Sequence, residues 1–237
     1  RWENIDALVT VGNPCVHEAL LAQVPDLPHR TKWVTIPNGL NLAKIPFRER
    51  QSGKNLAFVG NMRMVKNPML LLQCFTKLIQ INPDYHLFWA GKVQDTVVEQ
   101  YVRHMVDSLE LKENVHYQGW QTDISSWLSD KHYIVCTSVI ESQGMGVLEA
   151  MAMGLKPVVH NFPGAERTFG QEWLFDTPEQ FCAQILVPQY ESIRYRQFVE
   201  QRYSLQQQLG HIGKVLADLK TPVYRSVDSF RAEAVLS

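Results

Sequence analysis

Two glutamates on either side of a glycine-containing turn are the residues of this chain best suited to chemistry. Glu141 and Glu149 begin and end the run Glu-Ser-Gln-Gly-Met-Gly-Val-Leu-Glu, which follows an apolar stretch typical of a strand and leads into one typical of a helix. Such a turn leaves backbone N–H groups free at the start of the helix, and these groups attract phosphate. Carboxylates repel phosphate but accept hydrogen bonds from sugar hydroxyls. The combination predicts a site for a nucleotide-sugar.

A second loop carries positive charge. Residues 60–68, Gly-Asn-Met-Arg-Met-Val-Lys-Asn-Pro, connect a predicted strand to a predicted helix. Lys66 and Arg63 follow the carboxyl end of that strand, where they are suited to hold a diphosphate and to stabilise the charge that grows on it as a bond breaks. The alternative is that both are solvated loop cations. The independent phosphate signal at the glutamate turn favours the first interpretation.

The elements that position these loops alternate between strand and helix. The helix that begins at Pro68 is predicted to have Met69, Leu72, Phe75 and Ile79 on its apolar face, and the helix at residues 95–109 is predicted to present Val98, Tyr101, Val102 and Met105. We predict strands at residues 7–12, 32–37, 55–60, 85–91, 114–119, 133–138, 157–160 and 172–175. We predict further helices at residues 14–24, 124–128, 147–154, 178–187, 190–203 and 204–219.

This alternation predicts an α/β fold with a Rossmann-like doubly wound parallel sheet, because connections of this length cross over between parallel strands. Ligands bind such sheets at the carboxyl ends of the strands. Gly60, Gly91 and Gly119 each close a predicted strand at that edge. Trp120, directly after Gly119, either stacks on a base or is an ordinary half-buried aromatic residue.

Composition and motifs exclude several functions. The chain has 237 residues, a net charge of −1 and 45% hydrophobic residues, which gives no support to a nucleic-acid or polybasic membrane role. It has neither a membrane-length apolar run nor the GxGxxG and GxxxxGK[ST] signatures of NAD and ATP sites. The four cysteines show no CxxC pairing, so we expect reduced thiols in a cytoplasmic protein. The histidines and acids show no metal-ligand spacing, and the first residues resemble the interior of a longer protein.

From about Ile5 to about Leu219, the chain resembles the C-terminal half of GT-B type retaining glycosyltransferases, especially glycosyltransferase family 4. Several motifs carry the resemblance, and they occur in the same order as in that family. Residues 6–11 and 36–39 are similar to the segment that joins the two GT-B domains. Gly60 together with Lys66-Asn67 is similar to the donor-phosphate loop. Residues 141–154, followed by Pro-Val-Val, resemble the paired-glutamate signature of the family, which is the most specific of these motifs.

The resemblance assigns roles to individual residues. Glu141 would contact hydroxyls of the donor sugar and Glu149 the ribose hydroxyls of the nucleotide, while Lys66 would neutralise the departing diphosphate. Trp120 lies in the loop that would contact the base. Backbone N–H groups of the turn would meet the sugar and the phosphate, and these belong to Gly144, Met145 and Gly146. The family transfers the sugar with retained anomeric configuration and without a metal or other cofactor.

One residue departs from the family pattern. The family usually has Arg directly after the loop glycine, and here Gly60 is followed by Asn61. Arg63, two positions further on, is the candidate to replace that arginine. The departure leaves open a non-catalytic module of the same fold that binds nucleotide-sugar or acts as a scaffold. A generic effector-binding regulatory domain is a third possibility, but it leaves the pairing of the glutamates unexplained.

The resemblance also implies a division of the chain. Residues 1–45 would be the end of the N-terminal GT-B domain and the interdomain linker, residues 46–220 the donor-binding domain, and residues 221–237 a C-terminal tail. The acceptor, which would be a glycan, a lipid or a small molecule, would be bound mostly by the remainder of the N-terminal domain. We therefore expect this chain to bind donor but not to transfer sugar, and expect any peripheral membrane contact to be made by the N-terminal half.

Overall fold

A parallel six-stranded sheet forms the centre of the structure, a computed structural model that describes residues 5–24 and 31–220. The strands are β1 (Ala7–Thr10), β2 (Lys32–Thr35), β3 (Asn55–Val59), β4 (His86–Ala90), β5 (Val115–Gly119), β6 (Tyr133–Cys136), β7 (Lys156–His160) and β8 (Leu174–Phe175). The large sheet has the order β5-β4-β3-β6-β7-β8, and β1 and β2 form a separate parallel pair. The α/β fold and its parallel sheet are therefore confirmed. The order changes direction between β3 and β6, the position at which such sheets bind ligands.

Helices cover both faces of the large sheet. They are α1 (Pro14–Gln23), α2 (Pro68–Ile81), α3 (Thr96–Ser108), α4 (Ile124–Leu128), α5 (Met145–Ala152), α6 (Ala165–Phe169), α7 (Pro178–Leu186), α8 (Ser192–Arg202) and α9 (Leu205–Lys220). The short helix α6 was not predicted. Local caps set several of the starts: the Asn67 side chain accepts a hydrogen bond from Leu70 N (3.3 Å), and Thr177 forms a capping box with Gln180.

The core lies on both sides of the sheet because alternate residues of each central strand point to opposite faces. On β3, Leu56 and Phe58 join the cluster under α2, α3 and α7, while Ala57 joins the cluster under α5 and α8. On β6, Tyr133 and Val135 likewise face away from Ile134. The two central strands are thus rigid supports for the loops that leave their carboxyl ends.

The predicted apolar faces of α2 and α3 pack against the core, except at Tyr101. In α2 the buried positions include Leu71, Leu72, Phe75 and Leu78, whereas Met69 and Ile79 are only half-buried. Because the helix starts with the consecutive apolar residues Met-Leu-Leu-Leu, the sequence does not determine which of them face the core. In α3, Val98 and Val102 are buried as predicted, but Tyr101 is 45% exposed and Met105 is half-buried.

The segment between β2 and β3 is largely irregular. Apart from a β-bridge between Leu40 and Ser204, its one regular element is a 3₁₀ turn at Leu42–Lys44. The division of the chain near residue 45 stays a prediction, and the predicted tail at 221–237 lies outside the described residues. A helix able to span a membrane is absent from the described part of the chain. All four cysteines are free thiols, and Cys74, Cys136 and Cys182 are buried.

Candidate functional site

The loops that follow β3 and β6 meet at the point where the strand order reverses. Backbone and side-chain hydrogen bonds join them: Val139 N donates to Val65 O (3.0 Å), and the Thr137 hydroxyl lies 2.9 Å from Lys66 O. Neither loop is therefore free to move alone. The cationic loop and the glutamate turn, which the sequence predicts as two parts of one site, lie side by side.

Lys66 and Glu141 form an ion pair at this junction. The Lys66 ammonium donates to Glu141 Oε1, and the Ser138 hydroxyl donates to the same oxygen at 2.6 Å. The Lys66 and Glu141 side chains are only 19% and 15% exposed. Because the pair is shielded from bulk water, its attraction is stronger than that of a surface ion pair. In this structure the predicted phosphate-binding cation is thus engaged by the predicted sugar-binding acid.

Lys66 lies between two cavities. The larger one, about 460 Å³, has Glu149 on its wall, and the smaller one, about 50 Å³, has Glu141. Lys66 therefore has an acid on either side, one in each cavity. The larger cavity is lined by Val59, Gly60, Asn61, Lys66, Ala90, Gly91, Trp120, Gln121, Thr122, Ile124 and Glu149. The smaller cavity is lined by Phe58, Val59, Lys66, Ile134, Cys136, Ser138, Glu141, Gly144, Met145, Gly146 and Val147.

Glu149 is a half-buried carboxyl group without a protein partner. The residue lies on α5, and its carboxyl group makes no hydrogen bond or ion pair with any residue that the structure describes. Burial raises its pKa, because removal from water disfavours the charged form. A carboxyl group that lies on a cavity wall and accepts no hydrogen bond from the protein is suited to accept hydrogen bonds from ligand hydroxyls.

The turn before α5 presents its backbone to the smaller cavity. Gly144 is the N-cap of α5 with φ +72°, a conformation that favours glycine, and a Cβ there would lie 2.8 Å from Phe169 Cζ. No side chain caps this helix start. The first N–H groups of α5 are those of Met145 and Gly146. They have no acceptor within the helix itself, so they are available to an anion.

The floor of the larger cavity is built from two closely packed glycine loops. Gly91 has φ +155°, and a Cβ at this position would lie 2.1 Å from Gly60 O. The Gly60 carbonyl also accepts from Trp89 Nε1 at 2.8 Å, and Gly60 N donates to Ala90 O at 2.9 Å. Any side chain at Gly91 would push these loops apart and change the shape of the cavity.

Trp120 and Asn61 complete the rim of the larger cavity. Trp120 is 61% exposed, and the Lys92 ammonium lies 4.8 Å from its ring centroid. Asn61 Oδ1 accepts a hydrogen bond from Lys92 N at 2.9 Å. The side chain at the position where the family usually has Arg therefore ties the β3 and β4 loops together.

Arg63 is the one predicted site residue that the structure does not bring to the cavities. Its side chain is exposed, lines neither cavity, and has no hydrogen bond or ion pair within the described residues. It is the residue before the 3₁₀ turn at Met64–Lys66, and the turn carries Lys66 inwards while Arg63 stays in solvent. Its proposed replacement of the family arginine stays a prediction.

Sequence reasoning missed three residues that support Glu141. Ser138 donates to the carboxylate itself, Asn13 Nδ2 donates to the Glu141 backbone carbonyl, and the buried Gln143 follows two positions later. Only Ser138, at the end of a predicted strand, carried a local signal. Asn13 lies 128 positions from its acceptor, a contact that no local pattern can indicate.

A cavity of about 440 Å³ at the amino ends of β3 and β6 lacks the same chemistry. Its wall includes residues 48–52, and the Arg50 guanidinium there donates to the carbonyls of Ser129, Lys131 and Met153. Arg50 thus satisfies backbone carbonyls that follow the ends of α4 and α5. No three His, Cys, Asp or Glu residues of the described chain are placed to hold a metal ion.

Solved structures confirm the fold. The chain matches the pneumococcal O-GlcNAc transferase GtfA, whose structure contains UDP and GlcNAc, with a TM-score of 0.73 and 16% identity over 91% of this chain and 46% of that one. It matches Anabaena HepE in complex with UDP-glucose with a TM-score of 0.76 and 14% identity, over 90% of this chain and 64% of that one. These proteins share the Rossmann-like domain of the GT-B architecture.

Curated relatives are longer than this chain. It is 27% identical over 127 residues to a poly(ribitol-phosphate) alpha-N-acetylglucosaminyltransferase of Staphylococcus aureus, a match over 53% of this chain and 24% of the relative. It is 30% identical over 128 residues to a GDP-Man:Man(3)GlcNAc(2)-PP-Dol alpha-1,2-mannosyltransferase of Neurospora crassa, over 50% of this chain and 23% of the relative. The match therefore spans about a quarter of each relative. The model of the family "Glycosyl transferases group 1" matches residues 53–187, more than half of the chain. The chain belongs to that family.

Proposed function

We propose that this chain is the donor-binding domain of a retaining glycosyltransferase, which moves a sugar from a nucleotide-diphosphate sugar to an acceptor. The observation that carries the proposal is the position of Lys66 between two cavities, with Glu149 in one and Glu141 in the other. This order of acid, cation and acid matches the order of ribose, diphosphate and sugar along such a donor. The UDP in the structure of GtfA, the UDP-glucose in that of HepE, and the sugar transfer named for both curated relatives support it.

The nucleoside occupies the larger cavity in this proposal. The exposed face of Trp120 stacks on the base, with the Lys92 ammonium near the ring. Glu149 accepts hydrogen bonds from the ribose hydroxyls, which relieves the cost of its burial without a partner. Gly60 and Asn61 form the floor and rim beside the phosphates.

The diphosphate and the sugar lie towards the smaller cavity. When the bond between the sugar C1 and the phosphate oxygen breaks, negative charge grows on the diphosphate. Lys66 and the N–H groups at the start of α5 stabilise that charge, the task that a divalent metal performs in other enzymes. Glu141 binds the sugar hydroxyls. No metal ion or other cofactor takes part in the proposed reaction.

The remaining parts of the proposal concern the whole protein. Its N-terminal domain supplies the acceptor site, for a glycan, a lipid or a small molecule, and makes any peripheral contact with a membrane. The protein acts in the cytoplasm and binds no nucleic acid. The 237-residue chain alone binds donor but does not transfer sugar; efficient transfer to any acceptor by this chain would contradict that statement.

A non-catalytic donor-binding or scaffolding module is the second candidate. Two observations favour it: Asn61 is engaged by Lys92 N, and Arg63 points into solvent. The diphosphate would then meet one cation, Lys66, where the family usually offers two. A module of this kind would bind nucleotide-sugar in the same cavities with weaker stabilisation of the leaving group.

Calorimetry tests the proposal on the chain itself. UDP, GDP and ADP are titrated into the wild type and into Lys66→Ala, Glu149→Gln and Arg63→Ala. We expect one nucleotide to bind, Lys66→Ala to weaken it by at least about tenfold through loss of a charge-assisted contact, and Glu149→Gln to weaken it less. Glu49→Gln at the opposite edge of the sheet is the matched control and should change nothing.

The results separate the candidates. Absence of binding for all three nucleotides would refute both the enzyme and the donor-binding module. Binding that ignores Glu149 would remove the ribose assignment. A loss of affinity in Arg63→Ala would show that this side chain reaches the diphosphate, and would weaken the case for the non-catalytic module. Sugar transfer by the full-length parent, abolished by Lys66→Ala, would decide for the enzyme.

A further inference from the structure

Gln143 is a buried polar residue that the donor site does not itself explain. Its side chain is 2% exposed, although it lies in the turn between Glu141 and Gly144. Its amide pairs with both backbone groups of Asn38: Asn38 N donates to Gln143 Oε1 at 2.7 Å, and Gln143 Nε2 donates to Asn38 O at 2.9 Å. This pairing fixes which end of the amide is oxygen. Because this buried amide is hydrogen-bonded at both ends, it fixes the position of residue 143 relative to residue 38, which lies 105 positions away in the chain.

Asn38 is itself held from the other side. Gly39 N donates to Gln208 Oε1 at 2.9 Å, and Leu40 N donates to Tyr203 O at 2.7 Å. A Cβ on Gly39 would lie 2.6 Å from Leu205 Cα, so the linker is wedged against the start of α9. Residues 38–40 are therefore held in place by α9 and the residues just before it, and the Gln143 side chain joins the glutamate turn to them.

The same turn has a second attachment two residues earlier. Asn13 Nδ2 donates to the Glu141 carbonyl, while Asn13 Oδ1 accepts from Cys15 N (2.8 Å) and Val16 N (3.2 Å) as the cap of α1. The backbone of residues 141–143 is thus anchored on both sides by segments that precede β3. Within the described residues, Glu149, Trp120 and Gly60 make no direct hydrogen bond to the segments that precede β3; they belong to the large sheet and its own loops.

We propose that Gln143 is a positioning residue that sets the orientation of Glu141 towards the donor sugar. This rests on the proposed function, and it adds a separation within the site. The groups that bind the base and the ribose do not depend on Gln143. The binding affinity that the sugar adds depends on the Gln143–Asn38 pairing. Loss of the pairing lets the turn and Glu141 shift while the nucleoside contacts stay in place.

The test compares each nucleotide with its sugar conjugate. Calorimetry measures the dissociation constants of UDP and UDP-GlcNAc, UDP and UDP-galactose, and GDP and GDP-mannose. The wild type is compared with Gln143→Met, which keeps the length of the side chain but removes both hydrogen bonds. Asn38→Ala is the matched control, because it keeps the backbone N–H and carbonyl of residue 38 and removes only the long contact of its side chain with Gln208 Nε2 (3.4 Å). Thermal unfolding of each variant confirms that it is folded at the temperature of the titration.

We expect Gln143→Met to bind the free nucleotide at least as tightly as the wild type, and to lose about tenfold in the affinity gained from the sugar. Asn38→Ala should match the wild type in both. Equal changes for nucleotide and nucleotide-sugar, or no change for either, would refute the positioning role. A wild type that binds no nucleotide or nucleotide-sugar would instead refute the proposed function, and the inference with it.

Discussion

The ion pair between Lys66 and Glu141 leads to a prediction that is not obvious from the site residues alone. If Lys66 binds the diphosphate, the ligand competes with Glu141 for the ammonium group, because both are anions. Replacing Glu141 with Gln should therefore increase the affinity for a free nucleoside diphosphate. The Ser138 hydroxyl remains able to hold the new amide, since the amide oxygen still accepts a hydrogen bond.

The magnitude follows from the strength of the contact that the ligand must replace. A hydrogen bond between charged groups contributes about 1.5–3 kcal/mol, and one with a neutral acceptor about 0.5–1.5 kcal/mol. Glu141→Gln therefore weakens the competitor by about 1 kcal/mol, which corresponds to about fivefold tighter binding of the diphosphate. The low exposure of the two side chains, 19% and 15%, keeps solvent screening from removing this difference.

The assay is calorimetric titration of the nucleotide that the wild type binds, at low and at high salt. The matched controls are the single variant Lys66→Ala and the double variant with Glu141→Gln. In the absence of Lys66, Glu141→Gln should have little further effect, so that the two substitutions are not additive. Weaker binding of the free diphosphate to Glu141→Gln would show that Glu141 contacts the nucleotide directly, and the competition argument would fail. Glu141→Gln should also gain less affinity from the sugar of a nucleotide-sugar than the wild type does, because residue 141 no longer offers a carboxylate to the sugar hydroxyls.

Three further predictions concern single positions. Burial raises the pKa of Glu149, so its ionisation opposes folding at neutral pH; Glu149→Gln should raise the Tm by about 2 °C at pH 7, and the gain should vanish as the pH falls below 4.5, where the carboxyl group is neutral in both states. A gain that persists at low pH would contradict the burial argument. Gly144→Ala should cost about 1–2 kcal/mol of unfolding free energy in urea, from its positive φ and the contact with Phe169, whereas Gly213→Ala in open space on α9 should stabilise by up to about 1 kcal/mol. Trp120→Ala should weaken nucleotide binding about tenfold by titration, and an unchanged affinity would place the base elsewhere.

Local patterns were enough to predict the sheet and the backbone of the site. The strands β3, β4, β6 and β7 contain apolar runs, and Gly60, Gly91 and Gly119 mark where the chain turns back at the carboxyl edge. The spacing of Glu141 and Glu149 is likewise a local property, fixed by one turn and the first two turns of α5. Residues close in sequence constrain one another strongly, so such features can be inferred without a structure.

Contacts between distant segments could not be predicted. Lys66 and Glu141 are 75 positions apart, and the sequence treats them as a phosphate ligand and a sugar ligand without indicating that they pair with each other. Arg63 and Lys66 are equivalent as charges in a loop, and only the 3₁₀ turn between them decides that one points inwards and the other into solvent. Gln143, in a polar turn, carried no sign that its amide would be buried.

The two ends of the site therefore depend on different parts of the chain. Glu149 and Trp120 are held by the large sheet and its loops, whose geometry follows from the packing of the core. Glu141 is held by Asn13 and, through Gln143, by Asn38, and both segments precede β3. A displacement of those segments relative to the large sheet would reach the sugar end first and leave the nucleoside end unchanged. Nucleotide binding that does not depend on those segments, combined with sugar binding that does, is the behaviour that this arrangement implies.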